Sequence, residues 1–80
     1  MVKMSAKLAN AFIRNVRARM QALGMNQNEL AEQLNVGKSY VSQMLSGHRR
    51  PGLDSLESFA NALGVRPEEL IREKNMARTA

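Results

Sequence analysis

Apolar residues recur at steps of three or four over the first part of the chain, which is the spacing of one face of an α-helix. They are Leu8, Phe12, Val16, Met20 and Leu23. Ser5 precedes this stripe and has a side chain suited to an N-cap, and Gly24 follows it, where a glycine often ends a helix. The pattern predicts a first helix from about Ala6 to Ala22, with all five apolar residues turned inward.

Residues 26 to 34 predict a second, shorter helix. Asn26 and Glu29 have the three-residue spacing of a capping box, in which each side chain bonds the other's backbone amide. We expect Leu30, Ala31 and Leu34 to face inward. Alanine at 31 is small enough to let a neighbouring helix approach closely.

A tight turn and a third helix follow at once. Asn35 is the residue, after glycine, that best adopts the left-handed conformation such a turn needs. We expect Val36 to plug the turn into the core and Gly37 to serve as the next N-cap. Helix 3 should run from Lys38 to about Leu45.

Helix 3 divides into two kinds of residue. Its buried side should consist of Val41, Met44 and Leu45. The residues left for its free surface are all polar or basic: Lys38, Ser39, Ser42 and Gln43. Two short helices joined by a tight turn, the second with a polar outer face, form a unit that can place a helix in the major groove of DNA.

The rest of the chain predicts two more helices. Residues 48 to 52 form a basic loop that its proline and glycine keep non-helical. Helix 4 should run from about Leu53 to Leu63, and helix 5 should begin at Pro67, with Leu70 and Ile71 as its anchors. Strict apolar–polar alternation over strand length is missing. We therefore predict an all-α fold, a compact bundle of five short helices that contains a helix-turn-helix.

Eighty residues make one domain. We divide the chain into an N-terminal extension with the start of helix 1 (1–11), a helix-turn-helix DNA-binding domain (12–73) and a flexible tail (74–80). An apolar run of membrane-spanning length and a clear signal peptide are both lacking, so we expect a cytoplasmic protein without a membrane partner.

Composition argues against catalysis and metal binding. The chain has no cysteine and one histidine, His48, which is followed by two arginines. A carboxylate paired with a base in a cleft is not recognisable. The run Gly37-Lys38-Ser39 resembles the end of a phosphate-binding loop but lacks the upstream glycine and strand. We expect no enzyme activity, no cofactor and no metal.

The net charge of +5 is unevenly distributed along the chain. Residues 1 to 50 hold eight Lys or Arg against two Glu, a balance of +6, and residues 51 to 80 hold four against five acids, a balance of −1. The basic half is also the half with the two-helix unit. The distribution favours a polyanionic partner, while ordinary solubilising charge is the alternative interpretation.

These residues together resemble a known family, the XRE-type helix-turn-helix domains of lambdoid phage repressors and Cro proteins. The similar segments cover roughly residues 12 to 72, and they are Val16-Arg17, Leu23 to Gln27, Glu29 to Ala31, Val41 to Gln43, Ser46-Gly47, Arg50-Pro51, Leu56, Phe59-Ala60, Ala62 to Val65 and Pro67. Family members often pair an arginine late in helix 1 with a glutamate late in helix 3. Here those positions hold Met20 and Leu45, which suggests that an apolar contact replaces the ion pair.

The resemblance implies that helix 3 lies in the major groove. We predict base contacts from Lys38, Ser39 and Gln43, because glutamine can pair with adenine and lysine can donate to guanine. The alternative is that all three are merely solvated.

The resemblance also suggests residues that contact the DNA backbone. Gln27 matches the family's phosphate-holding glutamine at the start of helix 2. The other predicted backbone contacts are Arg17, Tyr40, Ser42, Arg49 and Arg50. Tyr40 could equally rest on the domain surface, and Arg19 is expected on an exposed helix face. Asn26 is expected to cap helix 2 rather than to bind DNA.

Family members dimerise on near-palindromic sites, because one helix reads only a few base pairs. The resemblance therefore implies a homodimer on a near-palindromic operator in double-stranded DNA. By analogy the dimer interface should include Leu53, Val65, Arg66 and Pro67. The first hypothesis is therefore a sequence-specific transcriptional regulator, most simply a repressor.

Two other functions stay open from the sequence. The chain could be the antitoxin of a toxin–antitoxin pair that represses its own operon, with a toxin held by the C-terminal helix or tail. It could also be a protein–protein adaptor without DNA binding. An adaptor should have an acidic or neutral third helix, whereas this one has Lys38 and no acid.

Overall fold

The structure is a computed structural model, and it describes residues 3 to 73. Five helices follow one another, and they are α1 (Ala6–Leu23), α2 (Gln27–Leu34), α3 (Lys38–Ser46), α4 (Leu53–Leu63) and α5 (Pro67–Leu70). The β-pairing within residues 3 to 73 is one isolated antiparallel bridge, Lys3 with Gly52. The predicted all-α bundle is confirmed. The predicted tail, residues 74 to 80, lies outside the described residues.

The helix ends follow the capping residues that the sequence predicts. The Ser5 side chain accepts from the Leu8 amide at the start of α1. At the start of α2 the Glu29 amide donates to Asn26 Oδ1 at 2.8 Å, and the Asn26 amide donates to Glu29 Oε1 at 2.9 Å. Asn35 is left-handed, with φ of 60°. The starts of α1 and α2 and the turn between α2 and α3 are thus each encoded by one or two local residues.

One core joins all five helices around two phenylalanines. Phe12 of α1 and Phe59 of α4 are fully buried, and their rings pack edge to face with centroids 5.2 Å apart. Edge-to-face contact is a preferred geometry for aromatic pairs. The buried residues of this core are Met4, Ala9, Phe12, Val16, Met20, Leu30, Ala31, Val41, Met44, Leu45, Leu56, Phe59, Ala60, Leu63 and Leu70.

Three apolar residues predicted to face inward are exposed, so that part of the prediction is wrong. Leu8 and Leu23, in the first and last turns of α1, are 39% and 45% exposed. Val36 is 38% exposed. Its backbone closes the turn instead, because the Val36 amide donates to the Ala31 carbonyl at 3.0 Å.

The segment before α1 packs onto the domain. Met4 is a core residue with 7% exposure, and its amide donates to the Pro51 carbonyl at 3.0 Å. Ala9 and Ala11 are also buried. Residues 4 to 11 therefore contribute to the same core as the helix-turn-helix, although they precede the segment that resembles the family.

Polar side chains of α1 bind the C-terminal ends of three other helices. Arg17 Nη2 donates to the Leu45 carbonyl of α3 at 3.0 Å, and Arg19 Nε donates to the Leu63 carbonyl of α4 at 2.9 Å. The last carbonyls of a helix lack partners within the helix, and cations are favourable there. The expectation of a solvent-exposed Arg19 is wrong, because the side chain is half-buried against this helix end.

Asn15 makes the third of these connections. Its Nδ2 donates to the Leu70 carbonyl at 2.9 Å and to the Arg72 carbonyl at 2.7 Å, at the end of α5. Helix α5 has only four residues, so it depends on such tertiary contacts for its position.

Replacing Asn15 with alanine should therefore destabilise the domain. Loss of both hydrogen bonds leaves two carbonyls unpaired, one of them on the buried residue Leu70, and should lower the free energy of unfolding by about 1–3 kcal/mol. Urea denaturation measures this. Asn10→Ala is the matched control, because Asn10 is exposed on the same helix and its replacement changes only helix propensity. Equal stability of the two variants would show that the Asn15 contacts are not stabilising.

Candidate nucleic-acid interface

Helix α3 is buried along one side and open along the other, as predicted. Val41, Met44 and Leu45 are at most 3% exposed and join α3 to the core. Arg17 adds a hydrogen bond to the end of the same helix. This packing fixes the rotation of α3 about its axis and so decides which residues it presents to solvent.

The open side of α3 forms one surface with the start of α2. An open depression of about 470 Å³ is lined by Gln27, Lys38, Ser39, Ser42 and Gln43. We call these five residues the reader surface. Gln27 is half-buried and the other four are exposed. All five were selected from the sequence as DNA contacts, and the structure brings them together.

The chain after α3 folds back on the helix end. Gly47 has a φ of 88°, which a glycine adopts without strain. The Gln43 carbonyl then accepts from the His48 and Arg49 amides at 3.0 and 3.2 Å. Ser46 Oγ lies 2.7 Å from His48 Nδ1. These bonds hold residues 47 to 49 beside the reader surface.

Arg49 lies between the reader surface and Tyr40. Its guanidinium carbon is 5.1 Å from the centre of the Tyr40 ring, a cation–π distance, and its Nε donates to Gln43 Oε1 at 3.4 Å. The guanidinium therefore extends the positive charge of the interface directly beside Gln43.

Tyr40 is half-buried against the domain itself. Its hydroxyl is 3.4 Å from Ser55 Oγ, and Arg49 stacks on its ring. This arrangement gives Tyr40 a supporting position under Arg49. Its contact with the DNA backbone stays a prediction.

Arg17 and Arg50 each use one donor within the protein. Arg17 Nη2 binds the Leu45 carbonyl, and Arg50 Nη1 donates to the Met4 carbonyl at 2.9 Å. A guanidinium has five N–H donors, so both side chains keep donors for a phosphate. Both residues are exposed.

The residues predicted for a dimer interface lie near the two ends of α4. Leu53, at its start, is 65% exposed. Val65 is half-buried beyond its end, followed by exposed Arg66, whose Nη1 is 3.9 Å from Glu68 Oε2, and by Pro67. An 11-residue helix is about 16 Å long, so one interface of ordinary size can cover both ends.

Other kinds of site are not evident in residues 3 to 73. This part of the chain contains no group of three or more His, Asp or Glu residues that could hold a metal ion. None of its helices is long and apolar enough to cross a membrane.

Comparison with known proteins identifies a family model and a curated relative. The model HTH_3, described as helix-turn-helix, matches residues 16–70. Control protein C.BamHI of Bacillus amyloliquefaciens is 34% identical over 53 residues, which are 66% of this chain. The match spans 65% of that relative's length.

Solved structures of three regulators have a similar fold. The restriction-modification controller protein C.AhdI from Aeromonas hydrophila superposes with a TM-score of 0.72 at 32% identity, covering 82% of this chain and 98% of that one. NHTF, a hypothetical transcription factor from Neisseria, superposes with a TM-score of 0.83 at 25% identity, covering 96% of this chain and 91% of that one. The clp gene regulator ClgR from C. glutamicum superposes with a TM-score of 0.76 at 25% identity, covering 90% of this chain and 94% of that one.

Proposed function

The chain belongs to the XRE-type helix-turn-helix family, and we propose that it is a transcriptional regulator that binds double-stranded DNA in a sequence-specific manner. In its simplest form it is a small dimeric repressor of a near-palindromic operator. The relatives support this class of function. They are described as a control protein, a controller protein, a gene regulator and a transcription factor.

The observation that carries the proposal is the reader surface. Five polar residues line one open depression on the exposed side of α3, while the opposite side of that helix packs into the core. A helix held in this way can enter the major groove without reorganising the domain. Its polar side chains then meet the edges of the bases.

The chemistry of the reader surface suits base recognition. Gln43 can accept a hydrogen bond from adenine N6 and donate one to adenine N7 at the same time, and Lys38 can donate to guanine O6 and N7. Ser39 is short enough to bond either a base or a phosphate. We therefore assign base contacts to these three residues.

The residues around the reader surface suit the sugar-phosphate backbone. Gln27 lies at the start of α2, where free backbone amides favour an anion. Arg49 and Arg50 lie in the loop that follows α3, and Arg17 binds the Leu45 carbonyl at the C-terminal end of α3. Together with Ser42 and Tyr40, these residues form the proposed backbone contacts, which fix the register of the protein on the duplex.

Dimerisation is the second part of the proposal. A single α3 can read only a few base pairs, and two copies related by a twofold axis would read half-sites about 34 Å apart. The exposed side chain of Leu53 and the segment Val65–Pro67 are the surfaces we assign to the contact between copies. Two chains per bound duplex is the expected stoichiometry.

Selection of binding sites from random duplex DNA tests this function. The selected sequences should contain two inverted half-sites about one helical turn apart. At fixed salt, a selected duplex should then bind at least about 1,000-fold more tightly than its scrambled version. Equal affinity for the two duplexes would overturn the proposal of sequence-specific binding.

A further inference from the structure

The N-terminal residues 3 and 4 lie on the basic loop that follows α3. Lys3 pairs with Gly52 in the antiparallel bridge, and the Met4 amide donates to the Pro51 carbonyl at 3.0 Å. Arg50 Nη1 returns a hydrogen bond to the Met4 carbonyl at 2.9 Å. The side chain of Met4 is buried in the core and anchors this attachment.

This attachment places Lys3 beside two arginines that are 46 or more positions away in the sequence. Lys3, Arg49 and Arg50 line one depression of about 430 Å³, with Tyr40 and Met44 also in its wall. One acid, Asp54, lines it too, so the charged side chains here are three cations and one anion. Neither ion pair found within residues 3 to 73 involves these four side chains.

The depression adjoins the reader surface through Arg49. Arg49 lines the depression and stacks on Tyr40 in its wall, and Arg49 Nε also donates to Gln43 Oε1 of the reader surface. When the major groove of a duplex lies on Gln43, the nearest phosphates are therefore close to Lys3, Arg49 and Arg50. Lysine binds a phosphate as a point charge and needs no fixed geometry to do so.

We propose that Lys3 is a DNA-binding residue: the segment Lys3–Met4, fixed to the basic loop, brings its ammonium group to a phosphate-binding site shared with Arg49 and Arg50. The ligand is a backbone phosphate of the duplex that the reader surface holds. This inference rests on the proposed function and extends the binding surface to the part of the chain that precedes α1.

The variant Lys3→Ala tests the site by the salt dependence of duplex binding. One lost phosphate contact should reduce the slope of log K against log salt by about 0.9, and should weaken binding roughly 3- to 10-fold near 0.1 M salt. Since Lys3 is exposed and its bridge to Gly52 uses the backbone, thermal stability should be unchanged. Both measurements use the full chain and a duplex of selected sequence.

Lys7→Ala is the matched control. It removes the same charge four positions away, from an exposed side chain of α1 that is paired with Glu73 at 3.4 Å. Its salt slope should equal that of the wild type. Equal slopes for the two variants, or weaker binding by Lys3→Ala at an unchanged slope, would overturn the assignment of Lys3. A wild-type chain that binds no duplex would overturn the proposed function itself.

Discussion

Replacing Phe59 with alanine should lower the free energy of unfolding by about 3–5 kcal/mol. Phe59 is fully buried, and its ring contacts Phe12 at the centre of the core that joins α1 to α4. Removing it takes away both the transfer free energy of a large side chain and the edge-to-face contact, and leaves a cavity. The total free energy of unfolding of a small domain is roughly 5–15 kcal/mol, so this variant should lose a large part of its stability.

Chemical denaturation followed by circular dichroism measures this effect. Glu57→Ala is the control, because Glu57 is exposed on the same helix and lies outside the proposed dimer interface, and its replacement should change stability by less than about 0.5 kcal/mol. Similar losses for the two variants would mean that the two phenylalanines are not the centre of the core.

Replacing Gln43 with alanine should remove discrimination at one base pair of the operator, an effect of about 1–3 kcal/mol. Gln43 is exposed on the reader surface, so its side chain adds little to the fold. The Gln43 carbonyl, which holds the turn after α3, is kept in the variant. Affinity for the selected duplex should fall roughly 5- to 150-fold, and affinity for a scrambled duplex should hardly change.

A panel of duplexes substituted one base pair at a time reveals this effect in equilibrium titrations. Gln33→Ala is the matched control, since Gln33 is exposed on α2 and lies outside the reader surface, and it should bind like the wild type. Undiminished discrimination by Gln43→Ala at every position would show that Gln43 does not read a base.

Arg50→Ala should behave differently from Gln43→Ala. Loss of a backbone contact should weaken binding to all sequences alike and reduce the salt slope by up to about one unit. Salt titrations on selected and scrambled duplexes measure this. A loss restricted to the selected duplex would assign Arg50 to base recognition instead.

Local sequence signals were sufficient to predict the helices and the reader surface. The capping residues Ser5 and Asn26 and the left-handed Asn35 act within four residues of their own position, so their effect can be recognised without the fold. The free side of α3 follows from the helical period once Val41 and Met44 are assigned to the core. The bundle of five helices was therefore predictable.

Contacts between distant segments were not predictable in this way. Arg19 has the spacing of an exposed residue on α1, yet it reaches the last carbonyl of α4, 44 positions away. Periodicity also assigns Leu8 and Leu23 to the core, but it does not show where the neighbouring helices end. Lys3 and Arg50 line one depression because Met4 is buried and bonded to Arg50, and nothing in the sequence before the first helix indicates that Met4 is buried.

Titration of the ¹⁵N-labelled chain with its selected duplex, followed by backbone amide chemical shifts, examines most directly whether α3 enters the groove. The largest shifts should occur at Gln27, at residues 38 to 43, and in the loop at Arg49 and Arg50. Amides outside both the reader surface and the proposed dimer interface, such as those of Asn10 and Gln33, should move little. Shifts concentrated on such amides, with residues 38 to 43 unaffected, would be incompatible with α3 as the reading helix.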